Sequence, residues 1–287
     1  MSIKSIQGLT QHMMGGALLL AGKEASAQVR YNMPEGATEI SRRIYHLHML
    51  SFWICVAIGV LVFGAMLYSI VRFRKSQGAQ PAHFHENTFV EILWTTVPFL
   101  ILISMAIPAA GTLIRMADTS KSDMTVKITG YQWKWQYDYL DKGVSFFSTL
   151  GHQSNLARQL GSNLDPASVE NYLLDVDHPL VLPVGVKVRL VITSNDVIHS
   201  WWVPDFANKT DALPGFVNET WLKIDKPGIY RGQCAELCGR DHAFMPIVVV
   251  AKPKAEFDAW LAQQKQASPA QGGGAAATPA PAGTSAQ

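Results

Sequence analysis

The segment Cys234-Ala-Glu-Leu-Cys238-Gly-Arg-Asp-His242-Ala-Phe-Met245 places two thiols, an imidazole and a thioether in one short loop. Further upstream, His199 offers a second imidazole. Soft sulfur ligands with imidazole select copper over hard metal ions, and one Cys, two His and a weak Met form a blue-copper electron-transfer site. Because a second cysteine is present, two thiolates can bridge two coppers and leave one histidine to terminate each. The loop predicts a dinuclear copper centre that moves single electrons.

Two other interpretations of this loop remain open from the residues alone. Cys234 and Cys238 could form a disulfide, since the domain is expected to face an oxidising compartment. They could also be zinc ligands, because Cys/Cys/His is a common zinc grouping. Zinc leaves Met245 unexplained, since a thioether is a poor zinc ligand.

Two uncharged apolar runs, at 47–71 and 92–114, predict membrane-spanning helices because each exceeds the length needed to cross a bilayer. The chain is 48% hydrophobic and only 16% charged, which also favours membrane segments. Pro98 and Pro108 interrupt the second run but are tolerated in bundled membrane helices. We therefore predict a transmembrane hairpin over residues 45–115.

The ends of the hairpin predict its orientation. Residues 1–27 have a basic start, a short apolar core and a small-residue cleavage pattern, as a signal peptide does. The loop between the spans carries Arg72, Arg74 and Lys75, which favours the cytoplasmic side. We expect a bacterial inner-membrane protein in which residues 28–44, both mature termini and everything after the second span are periplasmic.

After the second span the pattern becomes extended. Residues 125–130, 186–193 and 246–251 are rich in alternating or branched apolar residues, and turn signals separate them. Residues 131–139 carry an aromatic at every second position and predict a continuing strand with one ring-covered face. Several short strands predict a β-sandwich or barrel over residues 116–264.

The remaining segments are less regular. Residues 141–178 are polar and predict an insertion loop, with a short helix near 168–173. A short amphipathic helix is expected at 254–264, and residues 265–287 have the composition of a disordered tail. The part after the second span is slightly acidic, which suits a basic partner protein and gives no support for nucleic acid.

Five stretches of this chain match one family. The chain resembles subunit II of the bacterial haem–copper cytochrome c oxidases from about residue 41 to about residue 261. The resemblance implies an α+β membrane protein: a two-helix hairpin followed by a cupredoxin-like domain. The stretches are GQCAELCGRDHAFMPIVV, VIHSWWVPDF, KTDALPG, GYQWKWQYDY and VEILWTTVP.

The resemblance assigns the family's metal ligands to positions in this chain. The family's dinuclear copper A ligands fall on His199, Cys234, Cys238, His242, Met245 and the backbone carbonyl of Glu236. The side chain of Glu236 matches a position that reaches a magnesium or manganese ion shared with subunit I, and a carboxylate suits such a hard ion.

The resemblance also implies residues for electron and proton movement. Trp133 matches the residue that first receives the electron, and Glu91 matches an acid at the mouth of a proton channel into subunit I. Asp138, Asp177 and Asp196 match or neighbour acidic positions that attract the lysine-rich rim of a cytochrome.

The function implied is electron transfer within a terminal respiratory oxidase. Cytochrome c would be the donor, subunit I would hold the haem, reduce oxygen and pump protons, and subunit III is a further expected partner. Two rival functions are a metal-free quinol oxidase subunit of the same fold and a membrane-anchored copper carrier. Quinol-type relatives lack the cysteine pair, and a carrier would not explain Trp133, Glu91 and Glu236 together.

Overall fold

The computed structural model describes residues 31–81, 83 and 85–267. The predicted signal peptide at 1–27 lies outside the described residues, as does the predicted tail beyond 267. Two predicted boundaries differ from the structure. The first helix already begins at Glu39, inside the segment 28–44, and the last helix continues to Ala267, three residues into the expected tail.

Two long helices contain the predicted spans and extend beyond both ends of each. Helix α1 covers Glu39–Arg72 and helix α2 covers Thr88–Ala117, and both are long and apolar enough to cross a membrane. Thr38 caps α1 by accepting a hydrogen bond from the backbone N–H of Ser41 at 3.0 Å, and Asn87 caps α2 in the same way. The two prolines lie inside α2 without ending it.

One end of the hairpin is attached to the β domain. Arg42, in the first turn of α1, forms an ion pair with Asp225 (2.6 Å between Nη1 and Oδ2). Near the end of α2, the backbone carbonyl of Arg115 accepts a hydrogen bond from Nε1–H of Trp221 at 3.0 Å. Glu91 lies in the first turn of α2, so it is at the opposite end of the hairpin from the β domain.

The β domain is a sandwich of two five-stranded sheets within the described residues. The first sheet has the order β3-β2-β1-β5-β8 and the second β4-β10-β9-β6-β7. The strands are β1 Met124–Tyr131, β2 Lys134–Tyr139, β3 Val144–Ser148, β4 Leu180–Pro183, β5 Val188–Ser194, β6 His199–Trp202, β7 Lys209–Ala212, β8 Asn218–Leu222, β9 Gly228–Cys234 and β10 Pro246–Lys252. This architecture confirms the predicted class, a two-helix hairpin followed by a cupredoxin-like β domain.

Alternating burial explains why these segments form facing sheets. Along β5 every second residue, from Val188 to Ser194, is buried, and β1 buries Val126 and Ile128 in the same way. Strands β1 and β5 are parallel neighbours, which pairs Ile128 with Ile192. The inner faces of both sheets form one apolar core.

The predicted aromatic strand at 131–139 is wrong in one respect. The chain turns at Gln132 and Trp133, so that β1 and β2 form a tight antiparallel hairpin pairing Tyr131 with Lys134. The rings of Trp135, Tyr137 and Tyr139 do share one buried face of β2. The turn removes Trp133 from that face and places it at the end of the sandwich.

The insertion and the last helix also differ in detail from expectation. The segment 141–178 contains strand β3 and a helix α3 at His152–Ala157, whereas no helix forms at 168–173, where one was expected. A 3₁₀ turn at Pro166–Ser168 overlaps that segment only at its first residue. Helix α4, Lys254–Ala267, follows β10 and buries Phe257 and Leu261 against the sandwich.

Candidate metal centre

Two adjacent strands of the second sheet bring the ligand loop together. Cys234 is the last residue of β9, and Met245 directly precedes β10, which pairs with β9 in antiparallel register. Cys238 and His242 lie on the loop between them. His199 begins β6, whose Trp201 pairs with Cys234. Strand pairing therefore closes the base of the loop and brings the distant histidine beside it.

The five predicted side chains converge on one small volume. The sulfurs of Cys234 and Cys238 are 3.9 Å apart. Each sulfur has its own histidine: Nδ1 of His199 lies 4.0 Å from Cys234, and Nδ1 of His242 lies 3.4 Å from Cys238. Sδ of Met245 is 3.5 Å from the Cys238 sulfur. The arrangement is two cysteine sulfurs in the middle with an imidazole beside each.

The Glu236 backbone lies next to the cysteine pair. Its carbonyl oxygen lies 3.4 Å from the sulfur of Cys234. The Glu236 side chain is partly exposed and lies outside the group of ligand atoms formed by His199, Cys234 and Cys238 within 4.8 Å of one another. The structure thus places the carbonyl oxygen beside one cysteine sulfur and the carboxylate apart from the cluster.

The donor atoms are shielded from water. His199 is fully buried, and the exposed fractions of Cys234, Cys238 and Met245 are 6%, 3% and 1%. Burying so many polar and ionisable groups together is unfavourable unless they are paired or bind a metal. Only His242 among the side-chain donors is partly exposed, so it marks the solvent-facing side of the site.

His199 is held from behind by a carboxylate. Its Nε2 lies 2.8 Å from Oδ1 of Asp196, which fixes Nε2 as the protonated nitrogen and turns Nδ1 towards Cys234. The ring packs edge-on against Trp135, with centroids 5.9 Å apart. Gly130 also lies against the ring, since an added Cβ there would be 2.7 Å from Cδ2 of His199. The imidazole therefore has one available position.

The two thiols have opposite electrostatic environments. Burial, followed by the nearby Cys234 sulfur, raises the pKa of Cys238 to about 12. Burial, the largest single effect, would raise the pKa of Cys234 too, but the hydrogen bonds with His199 and with the backbone of Glu236 and Ser200 together lower that pKa. Burial would lower the pKa of His199, but its hydrogen bonds with Cys234 and Asp196 raise it. Because metal ligands must be deprotonated, binding at this pair displaces protons.

The geometry excludes the disulfide that the sequence left open, and the donor set favours copper over zinc. A disulfide requires sulfurs about 2.05 Å apart, and the 3.9 Å separation shows two free thiols. Sulfurs at this spacing can both contact one metal ion at the usual thiolate distance of about 2.3 Å. A thioether beside two thiolates and two imidazoles is a soft donor set that suits copper better than zinc.

Trp133 contacts the loop directly. Its indole Nε1–H donates to the backbone carbonyl of Cys238 at 3.3 Å, and the side chain of Gln132 donates to the same carbonyl at 2.9 Å. The ring also covers Gly239, where an added Cβ would lie 3.2 Å from the indole. The β1–β2 turn therefore lies directly against the loop that carries both cysteines.

The three predicted docking acids do not form one cluster. Asp138 lies along β2, opposite Lys127, several residues from the turn that carries Trp133. Asp177 accepts hydrogen bonds from Thr149 at the base of the insertion. Asp196 faces the metal site, and its hydrogen bonds, chiefly with His199, lower its pKa against the opposing effect of burial.

Sequence reasoning missed several supporting residues. It did not find the contact of Gly130 with His199, the hydrogen bond of Gln132 to the loop, or the inward role of Asp196. The i, i+3 spacing of Asp196 and His199 was the available signal for the last of these. Nothing local marked Gly130 or Gln132, because their partners are distant in sequence.

Comparison with known proteins agrees with this architecture. The family model described as "Cytochrome C oxidase subunit II, periplasmic domain" matches residues 124–252, and the model "Cytochrome C oxidase subunit II, transmembrane domain" matches residues 26–110. The two matches together cover the hairpin up to residue 110 and both sheets.

Two curated relatives, both described as probable cytochrome c oxidase subunit 2, agree with these family matches. The probable cytochrome c oxidase subunit 2 of Rickettsia bellii is 34% identical over 265 residues, covering 92% of this chain and 94% of that one. The Rickettsia felis protein of the same name is 38% identical over 240 residues, covering 83% and 72%. A solved structure, the periplasmic domain of subunit II of cytochrome oxidase of Bradyrhizobium japonicum, is 39% identical and covers 52% of this chain and 98% of that chain, with a TM-score of 0.45.

A membrane hairpin joined to a β-sandwich with a buried cysteine pair defines a membrane-anchored protein with a periplasmic domain whose donor set fits a metal. The chain belongs to the cytochrome c oxidase subunit II family. It is therefore a subunit of a haem–copper oxidase and works together with other subunits of that complex in a membrane.

Proposed function

We propose that this chain is the electron-accepting subunit of a terminal respiratory oxidase of the bacterial inner membrane. It takes electrons singly from a periplasmic cytochrome c and delivers them to haem in subunit I. Reduction of oxygen to water and the coupled proton pumping take place in subunit I, and subunit III is a further partner. The observation that carries the proposal is the buried cluster formed by His199, Cys234, Cys238, His242 and Met245.

The residues present fit a dinuclear copper centre, copper A. Cys234 and Cys238 would bridge, His199 and His242 would terminate, and Met245 and the Glu236 carbonyl would be weak ligands. When bound, the copper pair supplies one-electron redox chemistry shared over both ions. Strand pairing beneath the loop and the hydrogen bond that His199 donates to Asp196 hold these ligands in place.

Trp133 is suited to receive the electron from the donor. It is partly exposed, and its hydrogen bond to the Cys238 carbonyl connects the protein surface to a bridging ligand without an intervening residue. Asp138 and Asp177 supply negative charge on the outer surface for a basic donor.

Two further roles concern the partner subunit. The partly exposed Glu236 carboxylate is available for a magnesium or manganese ion shared with subunit I. Glu91 lies at the hairpin end away from the β domain. With that domain in the periplasm, Glu91 is at the cytoplasmic side, where a proton channel into subunit I would open.

The full-length chain, purified in detergent and loaded with copper, tests the proposal. We expect two coppers per chain and an electron paramagnetic resonance spectrum of one unpaired electron shared by two copper nuclei. A single copper with a mononuclear spectrum, or bound zinc in the purified oxidase, would contradict it. A copper carrier would instead release its copper rapidly to a competing chelator.

A further inference from the structure

The insertion between β3 and β4 is anchored at its base. The backbone N–H and hydroxyl of Thr149 donate to Asp177 at 2.7 and 2.8 Å, and the N–H of Gly151 donates to the Asp175 carbonyl at 2.9 Å. The two ends of the insertion are therefore joined. Helix α3, which follows Gly151, has a fixed starting position.

From the end of α3, Arg158 reaches the metal-binding loop. Its guanidinium carbon lies 4.4 Å from the ring centroid of Phe244, a cation–π contact. Its Nη2 is 3.8 Å from Oδ2 of Asp241, and its Nε donates to Asn155 of α3 at 2.8 Å. The side chains of Arg158 and Asp241 are only 25% and 16% exposed, so water screens this pair less than a surface pair.

The two residues contacted by Arg158 flank His242. Asp241 precedes the 3₁₀ turn His242–Phe244, and the N–H of Phe244 donates to the Asp241 carbonyl at 2.9 Å. Met245, the weak sulfur ligand, follows directly. A contact that fixes both ends of this turn also fixes the imidazole of His242, which is the most exposed of the predicted side-chain ligands.

A second arginine joins the insertion to the other side of the loop. Nη1 of Arg231, on β9, donates to the Leu174 carbonyl at 2.7 Å and to Oδ1 of Asp175 at 2.9 Å. Strand β9 leads directly into Cys234. The insertion thus contacts both the strand that enters the metal-binding loop and the turn that leaves it.

We propose that the insertion braces the metal-binding loop, with Arg158 as the positioning residue that holds the His242 turn. The proposal rests on the proposed copper function for its consequence, but the contact itself is made only by side chains of this chain. Releasing the turn would let His242 and Met245 move. The brace therefore keeps the outer half of the site in its binding geometry and slows loss of metal on the solvent-facing side.

The variants Arg158→Ala and Arg158→Lys test the brace, with Arg240→Ala as the matched control. Arg240 is on the same loop and also approaches Asp241 (3.5 Å), but its side chain is 84% exposed. Lysine at 158 keeps the charge and loses the planar stacking on Phe244. We expect Arg158→Lys to lie between wild type and Arg158→Ala, and Arg240→Ala to resemble wild type.

The first measurement uses the metal-free protein. In the wild type, local opening of the turn must break the contacts of Arg158. The variant Arg158→Ala lacks these contacts, so hydrogen exchange of the amides of residues 242–245 should be roughly tenfold faster. Exchange in the core strands β1 and β5 should be unchanged, which also shows that the variant is folded. Equal exchange rates at 242–245 in the variant and the wild type would overturn the brace, whatever metal the site takes.

The second measurement uses the copper-loaded full chain. Release of copper to a chelator should be roughly tenfold faster in Arg158→Ala than in wild type or Arg240→Ala. Rates within twofold of wild type would overturn the positioning role. If the chain bound no copper at all, the proposed function would fail, while the exchange result would still decide whether the brace exists.

Discussion

Oδ1 of Asp196 lies 2.8 Å from Nε2 of His199, and Oδ2 of the same carboxylate accepts a hydrogen bond from the backbone N–H of Gln132 at 2.7 Å. One side chain therefore connects a metal ligand to the turn that carries Trp133. We expect Asp196→Ala to lower copper affinity by roughly 10- to 100-fold, as loss of such a supporting hydrogen bond does in other metal sites. Chelator competition measures the affinity.

The control for this change is Asp138→Asn. It removes one negative charge from the same domain but touches none of the ligands. Copper affinity in that variant should equal wild type. If Asp196→Ala also stays within twofold of wild type, the hydrogen bond does not position His199, and Asp196 returns to the set of docking acids.

The cysteine pair gives a second prediction. Because both sulfurs must bridge, Cys234→Ser and Cys238→Ser should each abolish the two-copper spectrum. Met245→Leu should keep two coppers and shift only the reduction potential, because a weak axial ligand affects the reduction potential more than it contributes to copper binding. Metal counts and electron paramagnetic resonance distinguish these results. A serine variant with an unchanged spectrum would exclude bridging by that residue.

Substitutions of Trp133 should slow electron transfer without affecting copper binding. Trp133→Phe keeps a ring on Gly239 but loses the hydrogen bond to the Cys238 carbonyl, and Trp133→Ala loses both. We expect reduction by cytochrome c to slow in both variants, more in the alanine variant, with copper content unchanged. Stopped-flow reduction checks this, and wild-type rates in both variants would assign Trp133 to packing alone.

Docking of a basic donor depends on the acids that remain on the surface. Asp138→Asn should slow association by roughly twofold at low ionic strength and have no effect at high salt, since rim charges mainly steer association. Asp177→Asn should act in the same direction. The salt dependence of the second-order rate measures this effect. Salt-independent rates in both variants would indicate an apolar docking surface or a different donor.

The sequence was most informative where one local segment contains the whole signal. The spans are long uncharged apolar runs, and four of the predicted side-chain ligands lie in one loop, so both could be predicted without tertiary structure. Aromatic residues alternate from Tyr131 to Tyr139 without a break at the turn 132–133. The pattern therefore predicted one strand where the chain forms a hairpin. Arg158 and Phe244 are 86 positions apart, and only the folded insertion brings them together. Residues that support a site from a distance have no local pattern by which to be recognised.

Gly130 gives the last prediction. A Cβ at this position would lie 2.7 Å from Cδ2 and 3.0 Å from Cγ of His199. The imidazole cannot retreat, because Trp135 packs against it and Asp196 holds its far nitrogen. Gly130→Ala should therefore destabilise the metal-free protein by about 1–3 kcal/mol through overpacking, and it should also weaken copper binding by displacing Nδ1 of His199. Gly228→Ala is the control, since its Cβ would meet only Tyr230 at an ordinary 3.6 Å. Denaturant unfolding and chelator competition measure the two effects. If both alanine variants behave alike, then His199 has more room than its neighbours indicate, and its position depends on the hydrogen bond to Asp196 alone.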